Sequence, residues 1–141
     1  MTMPARVRAQ PIIAVGDVRA SARWYTTLLG AERDSERWGG SGHEHLYERV
    51  MVGDALVLQL HAWDEEDHPN LVNRDEARPG HGVLIWFELD DFDAAVARAR
   101  ELRAEVIEEP HVNPAPRHRE MWLRDLDGYV VVIASPDGEA S

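Results

Sequence analysis

A chain of 141 residues is one domain's worth of polypeptide, long enough to bury roughly 68–70% of the surface exposed when unfolded, so it needs no covalent staple. With 44% apolar and 29% charged residues the composition is globular, which excludes wholesale disorder, and the absence of Cys removes disulfides, a thiolate nucleophile and every sulfur-ligated metal site. The 15 basic and 26 acidic side chains leave a net charge of −11, which repels nucleic acid and anionic membranes and tolerates cationic small molecules.

No apolar run approaches the ~20 residues needed to cross a bilayer, and the basic start MTMPARVRAQP lacks the apolar stretch of a leader. An unexported, cytoplasmic protein is expected. Taken in chain order, a short strand over 11–15 runs into Asp17, whose carboxylate can cap a helix. On that helix Val18, Ser21, Tyr25, Leu28 and Leu29 share one face, and Gly30 stops it. Strands are predicted over 32–38, 45–52 and 55–61, the last two joined at Val52-Gly53-Asp54.

The segment 64–80, DEEDHPNLVNRDEARPG, reads as a surface linker. After it the pattern repeats, displaced by about 73 residues. A strand over 83–89 leads to a second capping Asp, Asp91, and a helix whose apolar face is Phe92, Val96, Ala99 and Leu102. Strands over 104–108, 119–124 and 129–134 follow, the last pair joined by the tight turn Leu126-Asp127-Gly128. The chain is thus a single domain over 1–141 built from two β-α-β-β-β modules, about 10–63 and 81–135.

A four-stranded sheet covered by one helix leaves its second face to be explained. Alternation puts Ile85, Phe87, Leu58 and Leu60 on the helix side. It puts Leu84, Trp86, Glu88, Val57, Gln59, His61, Val130, Val132 and Ala134 on the other, where two such sheets turned toward each other enclose a cleft.

VGDVRASARWYTTLLGAE, FELDDFDAAVARARELRAEV and LRDLDGYVVVI together resemble the vicinal oxygen chelate superfamily, the group of glyoxalase I, extradiol dioxygenases, fosfomycin-resistance enzymes and bleomycin-resistance proteins, over about 10–136. The resemblance implies an α+β fold of two βαβββ modules with an open, saddle-shaped sheet. It also implies, in the metal enzymes, one ligand from the first and one from the last strand of each module. The matching positions here are Gln10, Gln59, Leu84 and Val132. Leu and Val cannot ligate, and two amide oxygens are too weak a set for a divalent ion, so no metal cofactor is expected. A zinc, iron, manganese or nickel ion at a shifted site built on His45, Gln59 and His61 is the alternative. His68, His81, His111 and His118 fall in or beside predicted loops, with His118 near the cleft rim.

Phosphate loops and serine nucleophile elbows are absent from the sequence. Glu88 and Glu120 are the acids whose parity points into the cleft, available to a cationic ligand or, for Glu120, as a base. Trp86 and Trp122 share that face, Tyr47 joins them, and Trp38 and Trp63 border it. Such a wall suits a planar aromatic ligand. The expected function is metal-free sequestration of an aromatic, cationic compound, as in antibiotic resistance of the bleomycin type. The ligand site comprises Trp38, His45, Tyr47, Gln59, His61, Leu84, Trp86, Glu88, Glu120, Trp122 and Val132, in a homodimer. The rival is a metal-dependent lyase, isomerase or dioxygenase.

Overall fold

In the computed structural model, two four-stranded mixed sheets each carry one long helix, the α+β arrangement expected from the repeat. The structure describes residues 8–40, 42–64, 71, 80, 81, 83–115 and 117–140, with the Trp38 side chain left aside. Most of the expected linker, with His68, lies outside the described residues.

The first half supplies β1 (Ile12–Val15), α1 (Val18–Leu29), β2 (Glu32–Arg33), α2 (Asp34–Trp38), β3 (Tyr47–Val52) and β4 (Ala55–Ala62), in sheet order β1-β4-β3-β2. The second half supplies β5 (Leu84–Glu88), α3 (Phe92–Glu101), β6 (Glu105–Asn113), β7 (His118–Arg124) and β8 (Val130–Ala134), in order β5-β8-β7-β6. β1 pairs with β4, and β5 with β8, in parallel, and the remaining pairs are antiparallel.

Both helices begin where a side chain replaces a missing amide partner. Asp17 accepts from Ala20 N and Asp91 from Ala94 N, each at 3.0 Å. The first ends at Gly30, in the left-handed region at φ 63°, whose N–H closes on Thr26 and Thr27 carbonyls. At the equivalent place after α3 stands Arg103, also left-handed at φ 53°.

Four expectations shift. Residues 32–38 do not form one strand: after two strand residues the chain turns into α2, because Glu48 accepts from Ser35 N and Oγ and so satisfies a helix start, with Asp34 and Glu36 in the first turn. The next strand starts at Tyr47, which leaves His45 in the preceding turn. β6 continues past Glu108 to Asn113 beside β7, tolerating Pro110 because it is an edge strand. The strand expected to start at Arg119 starts one residue earlier, so that His118, expected in or beside a loop, is the first residue of β7.

The core is the layer between sheets and helices. Val15, Val50, Leu58 and Leu60 meet Val18, Tyr25 and Leu28 of α1, while Met121, Leu123, Val131 and Ile133 back onto Phe92, Ala95 and Ala99 of α3. The two halves share this core: Tyr25 packs edge-on to Phe87, and α1 lies against α3. Polar links lock them. Tyr25 donates to Asp125 Oδ2 (2.5 Å), Tyr129 donates to the Ala14 carbonyl (2.9 Å), and Asp127 accepts from Gly16 N (2.7 Å) and Ser21 Oγ (3.3 Å). The β7–β8 turn of one half therefore docks on the β1–α1 corner of the other.

Candidate functional site

The second faces of both sheets carry the residues that alternation placed there. On the first sheet the register sets Tyr47 beside His61 and Arg49 beside Gln59, with Ile12 on the other side of Gln59. Tyr47 Oη donates to Gln59 Oε1, Gln59 Nε2 donates to the Gln10 carbonyl (2.8 Å), and Arg49 Nε donates to Tyr47 Oη (2.8 Å). The Tyr47 and His61 rings meet edge-on at 6.2 Å, and His61 Nδ1 lies 2.6 Å from the Ala62 carbonyl. His45 is exposed, in the turn ahead of the strand.

On the second sheet one row across the face is Trp122, Val132 and Trp86, and the next is His111, Glu120, Ala134 and Glu88. Val132 and Ala134 are sealed between their neighbours, whereas Trp86, on the edge strand, is 44% exposed and leans on the His118 ring with centroids 5.6 Å apart. Glu120 is buried. Its Oε2 accepts from Trp122 Nε1 at 2.7 Å. Burial works against its charge, but the Trp122 and Asn113 donors and the His111 and His118 imidazoles outweigh it, holding the carboxyl below the usual glutamate range.

Between the edge strands β1 and β5 opens a hollow of about 960 Å³ walled by Ile12, Val57, Trp63, Leu84, Trp86 and Glu88. Smaller hollows of about 420 Å³, beside Phe87 and Arg98, and about 240 Å³, beside Glu48, lie elsewhere. The expected site therefore falls into three parts. Leu84, Trp86 and Glu88 wall the hollow together with Trp63; Glu120, Trp122 and Val132 lie on the adjoining face of the second sheet; Tyr47, Gln59 and His61 form a bonded group on the first. His45 stands off the strand that carries Tyr47, and the Trp38 side chain lies outside the described residues. Sequence reasoning assigned no role to His111 and Asn113. It placed His118 in or beside a loop near the cleft rim, and the two-residue spacing from Glu120 was the signal for a shared strand face.

The positions that would hold the superfamily's metal do not fit one. Leu84 and Val132 have no donor atoms, and both amide ends of Gln59 are committed to Tyr47 and the Gln10 carbonyl. Among the described residues no group of three His, Cys, Asp or Glu side chains is arranged to hold an ion.

Residues 7–133 match the sequence model of the Glyoxalase/Bleomycin resistance protein/Dioxygenase superfamily. The chain belongs to this superfamily. Among curated relatives, 4-hydroxyphenylpyruvate dioxygenase of Sus scrofa is 28% identical in an alignment 122 residues long that covers 77% of this chain and 30% of that protein. The chain thus spans under a third of that relative. Among solved structures, a glyoxalase/bleomycin resistance protein/dioxygenase family enzyme from Burkholderia phytofirmans PsJN superimposes with a TM-score of 0.69 at 18% identity, covering 89% of this chain and 95% of that one. Lactoylglutathione lyase from Agrobacterium tumefaciens does so at 0.65 and 19% identity, covering 94% and 95%. At such identities the superfamily's fold is shared, and chemistry has to be argued from the site.

Proposed function

We propose that this member of the superfamily is a metal-free binding protein of the bleomycin-resistance type, which sequesters an aromatic, cationic compound in the hollow between β1 and β5. The observation that carries the reading is Trp86. Its indole is 44% exposed on the wall of a hollow of about 960 Å³, beside Ile12 and Leu84, both also exposed, and Glu88. A large ring left open among apolar neighbours on a concave wall is covered by a ligand or a partner. The carboxylate of Glu88 and the net charge of −11 favour a cation among planar ligands. Mechanism is then affinity without bond breaking.

A second copy of the chain fits the same reading: a twofold dimer covers what remains of the open faces of Ile12, Val83 and Leu84, 44%, 52% and 46% exposed. One observation favours catalysis instead, the buried Glu120 beside two imidazoles, as a base. Titration of intrinsic tryptophan fluorescence with a panel of planar amines, before and after chelation, separates the readings. Saturable quenching that survives chelation and weakens in Trp86→Ala supports binding. Metal bound in stoichiometric amount, with turnover lost on chelation, supports the enzyme.

A further inference from the structure

Four hydrogen-bond acceptors converge where β6 meets β7. His111 Nε2 lies 3.5 Å from Glu108 Oε2 and 3.7 Å from Glu120 Oε1, and His118 Nε2 lies 3.5 Å from the same Glu120 oxygen. The protons of both imidazoles are assigned by what faces their other nitrogens. His111 Nδ1 is 2.8 Å from the Glu109 carbonyl and His118 Nδ1 is 3.3 Å from Asp137 Oδ1, so both donate there, and in the neutral imidazoles both Nε2 atoms turn lone pairs toward Glu120. His118 and Glu120 are 4% and 3% exposed, and His118 Nε2 is a buried nitrogen with no hydrogen-bond partner among the described residues. A buried acceptor facing other acceptors is costly unless something donates to it.

The cluster is held in place from outside. Arg119 donates to Glu139 (2.7 and 3.1 Å) and to Asp93 (2.8 Å), and Ala140 N bonds the Arg117 carbonyl, fixing the C-terminal turn that presents Asp137 to His118. The donors on the other side of Glu120 are Trp122 Nε1 and Asn113. Among the described residues, the charged groups that face the cluster are Glu108 from β6, Glu88 across the sheet on β5, and Asp137, all acidic.

We propose that Glu120, His111 and His118 form a subsite for a primary ammonium group, so that the ligand of the hollow is an aromatic compound bearing a short amine arm. An –NH3⁺ supplies three N–H donors and a positive charge to a set made of two lone-pair nitrogens and a carboxylate. A metal ion is the poorer occupant, since no three of these side chains are arranged to close on one. Trp86 walls the hollow and its ring lies 5.6 Å from that of His118, so the cluster adjoins the indole on which the ligand's ring would stack. The inference deepens the binding reading and rests on it for the aromatic part alone.

Two titrations test it. At pH 8, methylammonium chloride added to 15N-labelled protein is expected to shift the Trp122 indole N–H and the His118 imidazole signals saturably, with no such shift from potassium chloride and none in Glu120→Gln. No saturable shift, or the same shift in Glu120→Gln, overturns the subsite, as does a stoichiometric response to zinc with none to methylammonium. In the second titration 2-(aminomethyl)naphthalene is expected to bind roughly tenfold or more tightly than 2-(hydroxymethyl)naphthalene, the advantage being lost in Glu120→Gln. Equal binding of the two overturns the subsite and leaves the aromatic hollow standing. A methylammonium response with neither naphthalene bound sustains the subsite and sinks the aromatic reading.

Discussion

Glu120 reached the cleft by strand parity alone, and the structure adds what parity cannot supply: a cover. His118, two residues earlier on the same face, is buried because Trp86, over thirty residues away in sequence, leans on it and because Asp137 closes over its far nitrogen. Neither neighbour is visible in a local window, so a His following Pro114 and Pro116 reads as lying in or beside a loop. The Glu120 carboxyl titrates below its ordinary range, since burial, which opposes ionisation, is outweighed by Trp122, Asn113 and the two imidazoles. A depressed acid stabilises the fold above its unfolded pKa and loses that contribution as pH falls through the folded value. Wild-type protein is therefore expected to lose stability on acidification below about pH 4 more steeply than Glu120→Gln, measured as denaturation midpoints at pH 7 and pH 3.5. Parallel slopes would show that the carboxylate adds nothing.

At the scale of elements, the alternating strands were the most legible part of the sequence, because β4, β5 and β8 bury one face on a helix and the pattern of Leu58 and Leu60, or Ile85 and Phe87, records it. What the sequence hid was local competition. The stretch Asp34–Trp38 coils because Glu48 captures its first turn, and the two halves are joined through Asp125 and Asp127, which look like ordinary turn residues. Burial, the neighbouring Asp125 carboxylate and the hydrogen bond to it drive the Tyr25 phenol well above its normal pKa, so it remains a proton donor to Asp125. Tyr25→Phe strands that carboxylate and is expected to cost about 1.5–3 kcal/mol in chemical denaturation. Arg103, a non-glycine residue at φ 53° where the first module has Gly30, gives the opposite expectation. Arg103→Gly relieves a left-handed strain of about 1 kcal/mol, and thermal denaturation is expected to show an unchanged or raised midpoint, with a clear fall contradicting the argument.

At the scale of the molecule, two half-sites fold onto one shared core and leave a long apolar seam between their edge strands. Internal repetition made that architecture readable from the chain, and family membership agrees with it. The division of the expected site into an apolar hollow and a polar cluster was not readable, because it depends on how β1 and β5 face each other across the seam and on the edge strand β6 running five residues beyond Glu108. If the open faces meet a second copy, sedimentation at micromolar concentration is expected to report a dimer, and Leu84→Glu, which places a charge on that face, a monomer. A wild-type monomer would remove the dimer from the account.

We propose that an aromatic cation binds on Trp86 with no metal required. Calorimetric titration of chelator-treated protein with 2-(aminomethyl)naphthalene tests it most directly. One equivalent per chain is the expected result, with affinity about three- to tenfold weaker in Trp86→Ala. Binding that appears only after a divalent metal is restored, or that is identical in the two proteins, would contradict it.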